Sequence, residues 1–292
     1  MHEALTEATV RLAYKLILGR AEHDAAMLRH ALGYATLDRL RNAFLNSREF
    51  EYILNLRPRL VPPGAPPLAV EWRADDASLL AMLRALGATW DSAPPPLADG
   101  ARQAADLLAC LRRNFLPDPA GAQACELGCG DGRLTRHLAN HVGTLVACDA
   151  SPGQLRRANE ANMANVSLRL ADDLRFGIAE PYDVLFSFHA LHHGPPPLAA
   201  RALSHALALL RPGGAAVVQL VTYASGYGYA AADTARPAPA DPHDDKHVLP
   251  QPAVFAIAAA AGCVPLEVFD DVSVAPSVLW RSSVFVLHKP LP

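Results

Sequence analysis

The sequence has no long apolar run, no Lys/Arg-rich run and no cysteine pairs at metal-binding spacing. Its longest apolar stretches, such as 253–261, are far shorter than the roughly 20 residues that cross a bilayer. The start lacks the basic-then-apolar pattern of a signal peptide. With a net charge of −3, the chain also lacks the basic character of a nucleic-acid binder. We therefore expect a cytoplasmic protein with no membrane span and no nucleic-acid partner.

The cysteines are too few and too scattered to form a disulfide framework or a metal site. There are five, an odd number, and most fall in predicted strands or in a glycine-rich turn. They are Cys110, Cys125, Cys129, Cys148 and Cys263. We expect small buried hydrophobic side chains in a reducing compartment, with no metal bound.

The length and the proline pattern predict more than one domain. A chain of 292 residues is longer than one average domain, and 51% of its residues are hydrophobic. Helical periodicity predicts a small helical module over residues 1–57, followed by a proline-rich linker over 58–70. A helical cap region is expected over 71–116 and the main domain over 117–292.

The sequence pattern of the main domain predicts an α/β fold. After Gly132, apolar strands alternate with amphipathic helices, which predicts a doubly wound parallel sheet. The last two strands, 264–269 and 282–287, have no helix between them, so we expect that pair to be antiparallel. The segment 223–247 interrupts the rhythm and is interpreted as a lid or a mobile loop.

A glycine-rich turn follows the first strand of this domain. Gly128, Gly130 and Gly132 alternate, and glycine permits both positive φ and close approach of a ligand to the backbone. Glu126 and Asp131 make the turn acidic, which favours a ligand with hydroxyls and a positive charge over a pyrophosphate. The spacing also differs from the Gly-x-Gly-x-x-Gly of dinucleotide-binding proteins. The alternative is a glycine turn with a purely structural role.

This stretch resembles motif I, E/D-x-G-x-G-x-G, of the class I S-adenosylmethionine-dependent methyltransferases. Glu126, Gly128, Gly130 and Gly132 match the motif. The resemblance implies S-adenosyl-L-methionine as cofactor. It also implies a Rossmann-like, seven-stranded, mostly parallel sheet with an antiparallel C-terminal edge hairpin, here preceded by a small all-helical domain.

The resemblance also assigns cofactor contacts at the ends of the next strands. Asp149 ends the second strand, about 20 residues after the first glycine, and would bind the ribose hydroxyls. Its alternative is a helix N-cap, although Ser151 fits that role better. The resemblance further assigns the adenine amino group to Asp172, preferred over Asp173. It places Leu174 on the adenine ring and Phe188 and His189 near the methionine part.

Several histidines are candidates for a general base. His192 and His193 precede three prolines, which would fix them at the rim of the site, and His247 is a third candidate. The alternative for His192 is packing beneath its loop. Trp72 and Trp90 either line the mouth of the site or pack as ordinary aromatic residues.

Two further resemblances concern the biological setting. The segment 191–229, with its His-x-Pro-Pro-Pro and Arg-Pro-Gly-Gly motifs, is similar to a methyltransferase branch associated with bacterial surface-polysaccharide and O-antigen clusters. The pieces 14–20 and 44–50 resemble a helical module with an LGR…FLxSxEF pattern. That module either packs as a solvated bundle or mediates protein contacts or oligomerisation.

These observations leave three hypotheses for function. The first is S-adenosylmethionine-dependent O-methylation (EC 2.1.1.-) of a sugar or glycan intermediate in polysaccharide biosynthesis. The second is methylation of a small metabolite or lipid. The third is a cofactor-binding scaffold without turnover.

Overall fold

The structure is a computed structural model of the 292-residue chain. It describes residues 5–18, 25–34, 36, 39–40, 43, 74–91, 93, 100–114, 116, 118–224, 227, 229, 242–271 and 280–291. The chain divides into two compact units, Met1–Pro67 and Leu68–Pro292. The predicted linker 58–70 and Trp72 lie outside the described residues, and the predicted domain boundaries stay predictions.

The first unit is helical where it is described. Its helices are α1 (Glu7–Leu18) and α2 (Ala25–Leu32). Apolar side chains from both helices, together with Leu40, form a small core of their own, which comprises Val10, Ala13, Tyr14, Leu28, Ala31 and Leu40. The helical prediction for this part of the chain is therefore confirmed over the described helices.

The second unit is built on a seven-stranded sheet, as predicted. The strands are β1 (Gln123–Leu127), β2 (Thr144–Asp149), β3 (Val166–Leu170), β4 (Tyr182–Ser187), β5 (Leu210–Ala224), β6 (Val264–Asp271) and β7 (Trp280–His288). Their order is β3-β2-β1-β4-β5-β7-β6, and β7 is antiparallel to both of its neighbours. The other pairs are parallel. The antiparallel C-terminal pair is confirmed, with β6 at the edge.

Helices cover both faces of this sheet. They are α3 (Asp76–Trp90), α4 (Gly100–Arg113), α5 (Thr135–Leu138), α6 (Pro152–Asn159), α7 (Pro196–Leu209) and α8 (Gln251–Ala260). Successive residues of β4 alternate between two apolar clusters: Leu185 belongs to one, whereas Val184 and Phe186 belong to the other. Burial on both faces explains why these strands read as continuous apolar runs rather than as alternating ones.

The strand order places a crevice above the middle of the sheet. From β1 the chain builds outward through β2 and β3, and it then returns to the other side of β1 with β4. In open α/β sheets, ligands bind beyond the carboxyl ends of the strands at such a reversal. Helix α3 packs Leu79 and Leu83 into the same apolar cluster as the sheet, so part of the predicted cap region belongs to this unit.

Two elements of this unit have irregular boundaries. Strand β5 begins at Leu210, which pairs with Tyr182 ahead of an irregularity in the ladder. Helix α5 is short and is followed by the 3₁₀ turn Ala139–His141. All five cysteines are buried free thiols, as predicted.

Candidate active site

The glycine turn after β1 contains three positive φ angles: 81° at Gly128, 54° at Gly130 and 78° at Gly132. A Cβ at Gly128 would lie 2.1 Å from the Cβ of Ala190, and one at Gly132 would lie 3.0 Å from the Cβ of Ala158. A Cβ at Gly130 would have Gln154 Oε1 as its nearest neighbour, 3.9 Å away. The first and third glycines therefore allow close packing, whereas the second faces open space.

Glu126 lies one residue before the end of β1 and carries a buried carboxyl group. It is 2% exposed, and its Oε2 has no hydrogen-bond partner among the described residues. Burial raises its pKa to about 8; the Thr135 side chain and Arg133 oppose this shift, whereas Asp149 and Asp131 add to it. A buried acid without a full set of partners is a functional-site candidate, because such a group is costly unless a ligand pairs with it.

Asp149 ends β2 beside the glycine turn. Its Oδ2 accepts a hydrogen bond from the Gly130 amide at 2.9 Å, and its Oδ1 accepts one from the Ser151 amide at 2.9 Å. Burial raises the pKa of this carboxyl, although the backbone hydrogen bonds partly counter that effect. Ser151 caps helix α6 by accepting from the Gln154 amide, so the N-cap alternative for Asp149 is wrong. Each Asp149 oxygen still has acceptor capacity for a ligand hydroxyl.

The segment after β4 carries a strained backbone. His189 has a φ of 56°, which is uncommon for a residue with a side chain. Its amide donates to Gln219 Oε1 at 2.9 Å, and the buried Gln219 in turn donates to Ser282 Oγ. The His189 ring stacks on Phe188 with centroids 4.8 Å apart, and burial lowers its pKa to about 4. Gln219 thus holds the strained turn in place.

The two adjacent histidines lie on the 3₁₀ turn Leu191–His193 and differ in their surroundings. His192 is 3% exposed, its Nδ1 has no hydrogen-bond partner in the part of the chain that the structure describes, and burial lowers its pKa strongly. The Nδ1 of His193 lies 2.8 Å from the carbonyl oxygen of Asp245, so Nδ1 is the protonated nitrogen and Nε2 carries the lone pair. Burial lowers the pKa of His193 to about 3, and the ring is neutral at pH 7.

Residues 242–250, which we name the strap, run beside this histidine turn. Within the strap, the His247 amide donates to the His192 carbonyl at 2.6 Å, and the Leu249 amide donates to the Val221 carbonyl at 3.0 Å. The ring of Trp90 lies against His193, 4.6 Å between centroids, and against His243 of the strap, 4.9 Å. Residues 242–247 of the strap are the described C-terminal part of the predicted lid or loop.

These pieces surround one cavity of about 300 Å³. Its walls include most of the predicted site residues, namely Glu126, Gly128, Gly130, Asp149, Phe188, His189, His192 and His193. The glycine turn, the strand ends and the histidine turn therefore share one hollow. The individual roles assigned to these residues stay predictions.

Four predicted residues do not line this cavity. Asp172 is exposed, one residue beyond Ala171, which does line it. Leu174 packs against the main apolar cluster, and Gly132 packs against α6. The ring of His247 faces Tyr227, with Nδ1 2.9 Å from the phenol oxygen. Direct roles for these side chains are the least supported of the predictions.

The cavity walls also contain residues that the sequence analysis did not assign to the site. They include Trp90 (left open between site and packing), Arg133, Gln154, His243 and Lys246. Lys246 and His243 fall in a proline-rich acidic stretch without periodicity, so no pattern pointed to them.

Among the described residues, no group of three or more His, Cys, Asp or Glu side chains is placed to hold a metal ion. In the same residues, no helix is both long and apolar enough to span a bilayer.

The core of the second unit matches one protein-family model. Residues 124–214 match the model described as a methyltransferase domain. The chain is 33% identical over 110 residues to a trans-aconitate 2-methyltransferase from Deinococcus radiodurans, covering 36% of this chain and 40% of the relative. It is 26% identical over 125 residues to a ubiquinone biosynthesis O-methyltransferase from Xanthomonas axonopodis pv. citri, covering 40% and 52%. The matched region is thus about half or less of either relative.

A solved structure shows the same fold at low sequence identity. Geranyl diphosphate methyltransferase, in complex with GPP and sinefungin, superposes with a TM-score of 0.54 and 13% identity over 72% of this chain and 99% of the other. The second unit therefore has the Rossmann-like methyltransferase fold. The matched domain and the fold together support S-adenosyl-L-methionine as the cofactor. The polysaccharide branch and the N-terminal module stay predictions, since the matched residues lie outside 1–57 and the relatives' names refer to other acceptors.

Proposed function

We propose that this chain transfers a methyl group from S-adenosylmethionine to a hydroxyl of a sugar or glycan intermediate. The observation that carries methyl transfer is that Glu126 and Asp149, at the ends of adjacent strands, face one cavity together with the open side of Gly130. An acidic, partly desolvated wall favours a ligand with an amino group, a sulfonium and ribose hydroxyls.

The residues present fit this cofactor. Asp149 would accept hydrogen bonds from the ribose hydroxyls, and Glu126 would face the cationic end through its unpaired Oε2. The open face of Gly130 would let the cofactor approach the backbone. The bound cofactor supplies an electrophilic methyl group on a positively charged sulfur.

The chain's own contribution to the reaction would be positioning and proton removal. Holding the acceptor oxygen about 3–3.5 Å from the methyl carbon supplies much of the rate enhancement. The acceptor O–H proton would pass to Nε2 of His193, the nitrogen left unprotonated by the bond to the Asp245 carbonyl. The acceptor oxygen would then bond to the methyl carbon while the C–S bond breaks. The electron pair of the broken C–S bond would stay on sulfur. His193 is favoured over His192, which is almost fully buried, and over His247, which does not line the cavity.

A small metabolite is the second candidate acceptor. The cavity of about 300 Å³ lies at the lower end of the range for ligand sites, which favours a compact acceptor over a polymer. The names of the two relatives, which refer to trans-aconitate and to ubiquinone biosynthesis, are consistent with that alternative.

The test is a methylation assay with S-adenosylmethionine and panels of sugars, lipids and small metabolites, read by mass spectrometry. The sugar proposal predicts a methylated sugar together with S-adenosylhomocysteine. A product from the metabolite or lipid panel alone would favour the second candidate. Tight cofactor binding without any product, combined with a biosynthetic protein captured by residues 6–56, would favour the scaffold hypothesis.

A further inference from the structure

Lys246 is a cation whose partner is absent from the described part of the chain. It lines the cavity and is partly buried, and its ammonium makes no hydrogen bond or ion pair with any residue that the structure describes. A lysine at such a position normally pairs with a carboxylate or extends fully into solvent.

The backbone on both sides of Lys246 is fixed to the histidine turn. The preceding residue, Asp245, accepts the His193 Nδ1 hydrogen bond at 2.8 Å, and the following residue, His247, donates its amide to the His192 carbonyl at 2.6 Å. Burial and, to a smaller extent, the charge of Lys246 lower the pKa of His192 and His193, and Lys246 lines the same cavity as both rings. The lysine is therefore held where the acceptor would bind.

Among the described residues, no carboxylate forms an ion pair with this lysine. Asp244 is exposed, and the Asp245 carboxylate lies 3.9 Å from Nε2 of His247 and does not line the cavity. Asp271 acts on the neighbouring His189, where it raises the pKa. Asp131 lines the cavity but acts on Glu126 in the glycine turn.

The remaining described groups around the lysine are basic or neutral. His243 lines the cavity against Trp90, and the buried Nδ1 of His192 has no hydrogen-bond partner among the described residues. This part of the wall thus presents one ammonium and several imidazoles to a ligand. The combination is complementary to an anion.

We infer that the methyl acceptor carries a carboxylate or phosphate group that pairs with Lys246 beside His193. This inference rests on the proposed function and narrows its substrate class to anionic acceptors, such as an acidic or phosphorylated sugar. It also gives the acceptor a part in its own activation. A negative group between Lys246 and His193 raises the proton affinity of the imidazole, which makes His193 a better base when the acceptor is bound.

The test uses the whole protein and titration calorimetry with inorganic phosphate, succinate and uncharged glucose. S-adenosylhomocysteine binding is measured first, and the three probes are then titrated into the loaded and the unloaded protein. We expect phosphate or succinate to bind and glucose not to bind; which anion binds more tightly distinguishes a phosphorylated from a carboxylated acceptor. Failure of S-adenosylhomocysteine to bind would count against the proposed function, while anion titration of the unloaded protein would still test Lys246.

Three variants assign the binding to one side chain. Lys246→Gln should weaken anion binding by about 10- to 100-fold, the usual effect of losing a charged hydrogen bond. Lys246→Arg keeps the charge and should stay within about threefold of wild type. Lys289→Gln is the control with the same loss of charge, because Lys289 instead contacts the carbonyls of Leu207 and Ala208. Equal anion affinity in Lys246→Gln and wild type would overturn the inference, as would binding of neither anion.

A second measurement does not depend on the variants folding. The chain has three lysines, Lys15, Lys246 and Lys289, so reductive ¹³C-methylation gives few resolvable signals while preserving charge. Phosphate or succinate should shift the Lys246 signal and leave the other two unchanged. Equal shifts of all three signals would mean nonspecific screening and would contradict the inference.

Discussion

The cavity has two parts of opposite electrostatic character. Around the glycine turn, Glu126 and Asp149 are acids whose pKa values burial raises. Around the histidine turn, His192 and His193 are bases whose pKa values burial lowers, with Lys246 as the nearby cation. The same desolvation therefore drives both sets of groups towards their neutral forms.

This difference indicates what each part requires from a ligand. A neutralised acid regains its charge when a cation binds, and a neutralised imidazole regains proton affinity when an anion binds. The acidic part thus suits a cationic cofactor and the basic part an anionic acceptor. The following predictions test this division, from the largest expected effect to the smallest.

Replacing His193 tests the basic part. His193→Gln should lower turnover by about 10²–10⁴-fold, because the variant cannot accept the acceptor's proton. S-adenosylmethionine affinity, measured by calorimetry, should change little. His247→Gln is the matched control, since His247 does not line the cavity, and it should keep most of the activity. Equal losses in the two variants would contradict the assignment of His193 as base.

Replacing Asp149 tests the acidic part. Asp149→Asn should weaken S-adenosylmethionine binding by about 100-fold, because the amide offers one acceptor oxygen where the carboxylate offers two. Asp172→Asn provides the comparison, because that residue lies two positions beyond the end of β3 and is exposed. Calorimetry on both variants, with thermal unfolding as a folding check, decides between them. A larger loss in Asp172→Asn would restore the adenine contact that the sequence predicted and weaken the case for Asp149.

Two glycine substitutions separate packing from ligand approach within the acidic part. Gly128→Ala should destabilise the fold by about 3 kcal/mol or more, because its Cβ would overlap Ala190. Gly130→Ala has room, and should cost about 1–2 kcal/mol from positive φ alone while weakening cofactor binding. Urea unfolding and calorimetry measure the two effects. Equal stability losses would indicate that Gly130 also has a packing role.

The pH dependence of cofactor binding gives the smallest effect. Because the pKa of Glu126 is about 8, the group is mostly protonated at pH 7, and a cationic ligand should drive its proton off. S-adenosylmethionine affinity should therefore rise between about pH 6 and 8, by less than tenfold per pH unit. Glu126→Gln should remove both that rise and the proton release seen by calorimetry in buffers of different ionisation enthalpy. Proton uptake on S-adenosylmethionine binding would contradict the prediction that the cofactor displaces the Glu126 proton.

The same group links pH to stability. The pKa of Glu126 is 4.5 in the unfolded reference and about 8 in the fold. Its contribution to the free energy of unfolding is therefore fully present below pH 4.5 and is lost as the pH rises towards 8. Urea unfolding of wild type and Glu126→Gln at several pH values should show the variant gaining relative stability as pH rises.

The fold was largely predictable because its signals are local. Continuous apolar runs such as Val184 to Phe186 indicate strands buried on both faces, and the lack of a helical sequence pattern between the last two predicted strands indicates an antiparallel ending. The glycine turn was recognised because its three alternating glycines lie close together in the sequence, and all three adopt a positive φ. Boundaries were less predictable where pairing decides them, as at Leu210 in β5.

The basic part of the site was less predictable because its members are distant in the sequence. Trp90 and His193 come together only when α3 packs over the sheet. Lys246 lines the same cavity because the residues on either side of it bond to the histidine turn. The sequence pattern also did not show which histidine is best placed to act as the general base, because the burial of each ring depends on the elements that pack over it.

The sequence by itself determined the strand–helix alternation, the acidic glycine turn and the candidate cofactor residues, because each depends on neighbours within a few positions. Only the tertiary structure decided which of these residues share a cavity, which histidine has a fixed tautomer, and that Lys246 stands beside it. Desolvation and charge proximity are properties of the packed chain, and they arise only once the sheet, α3 and the strap enclose the same space.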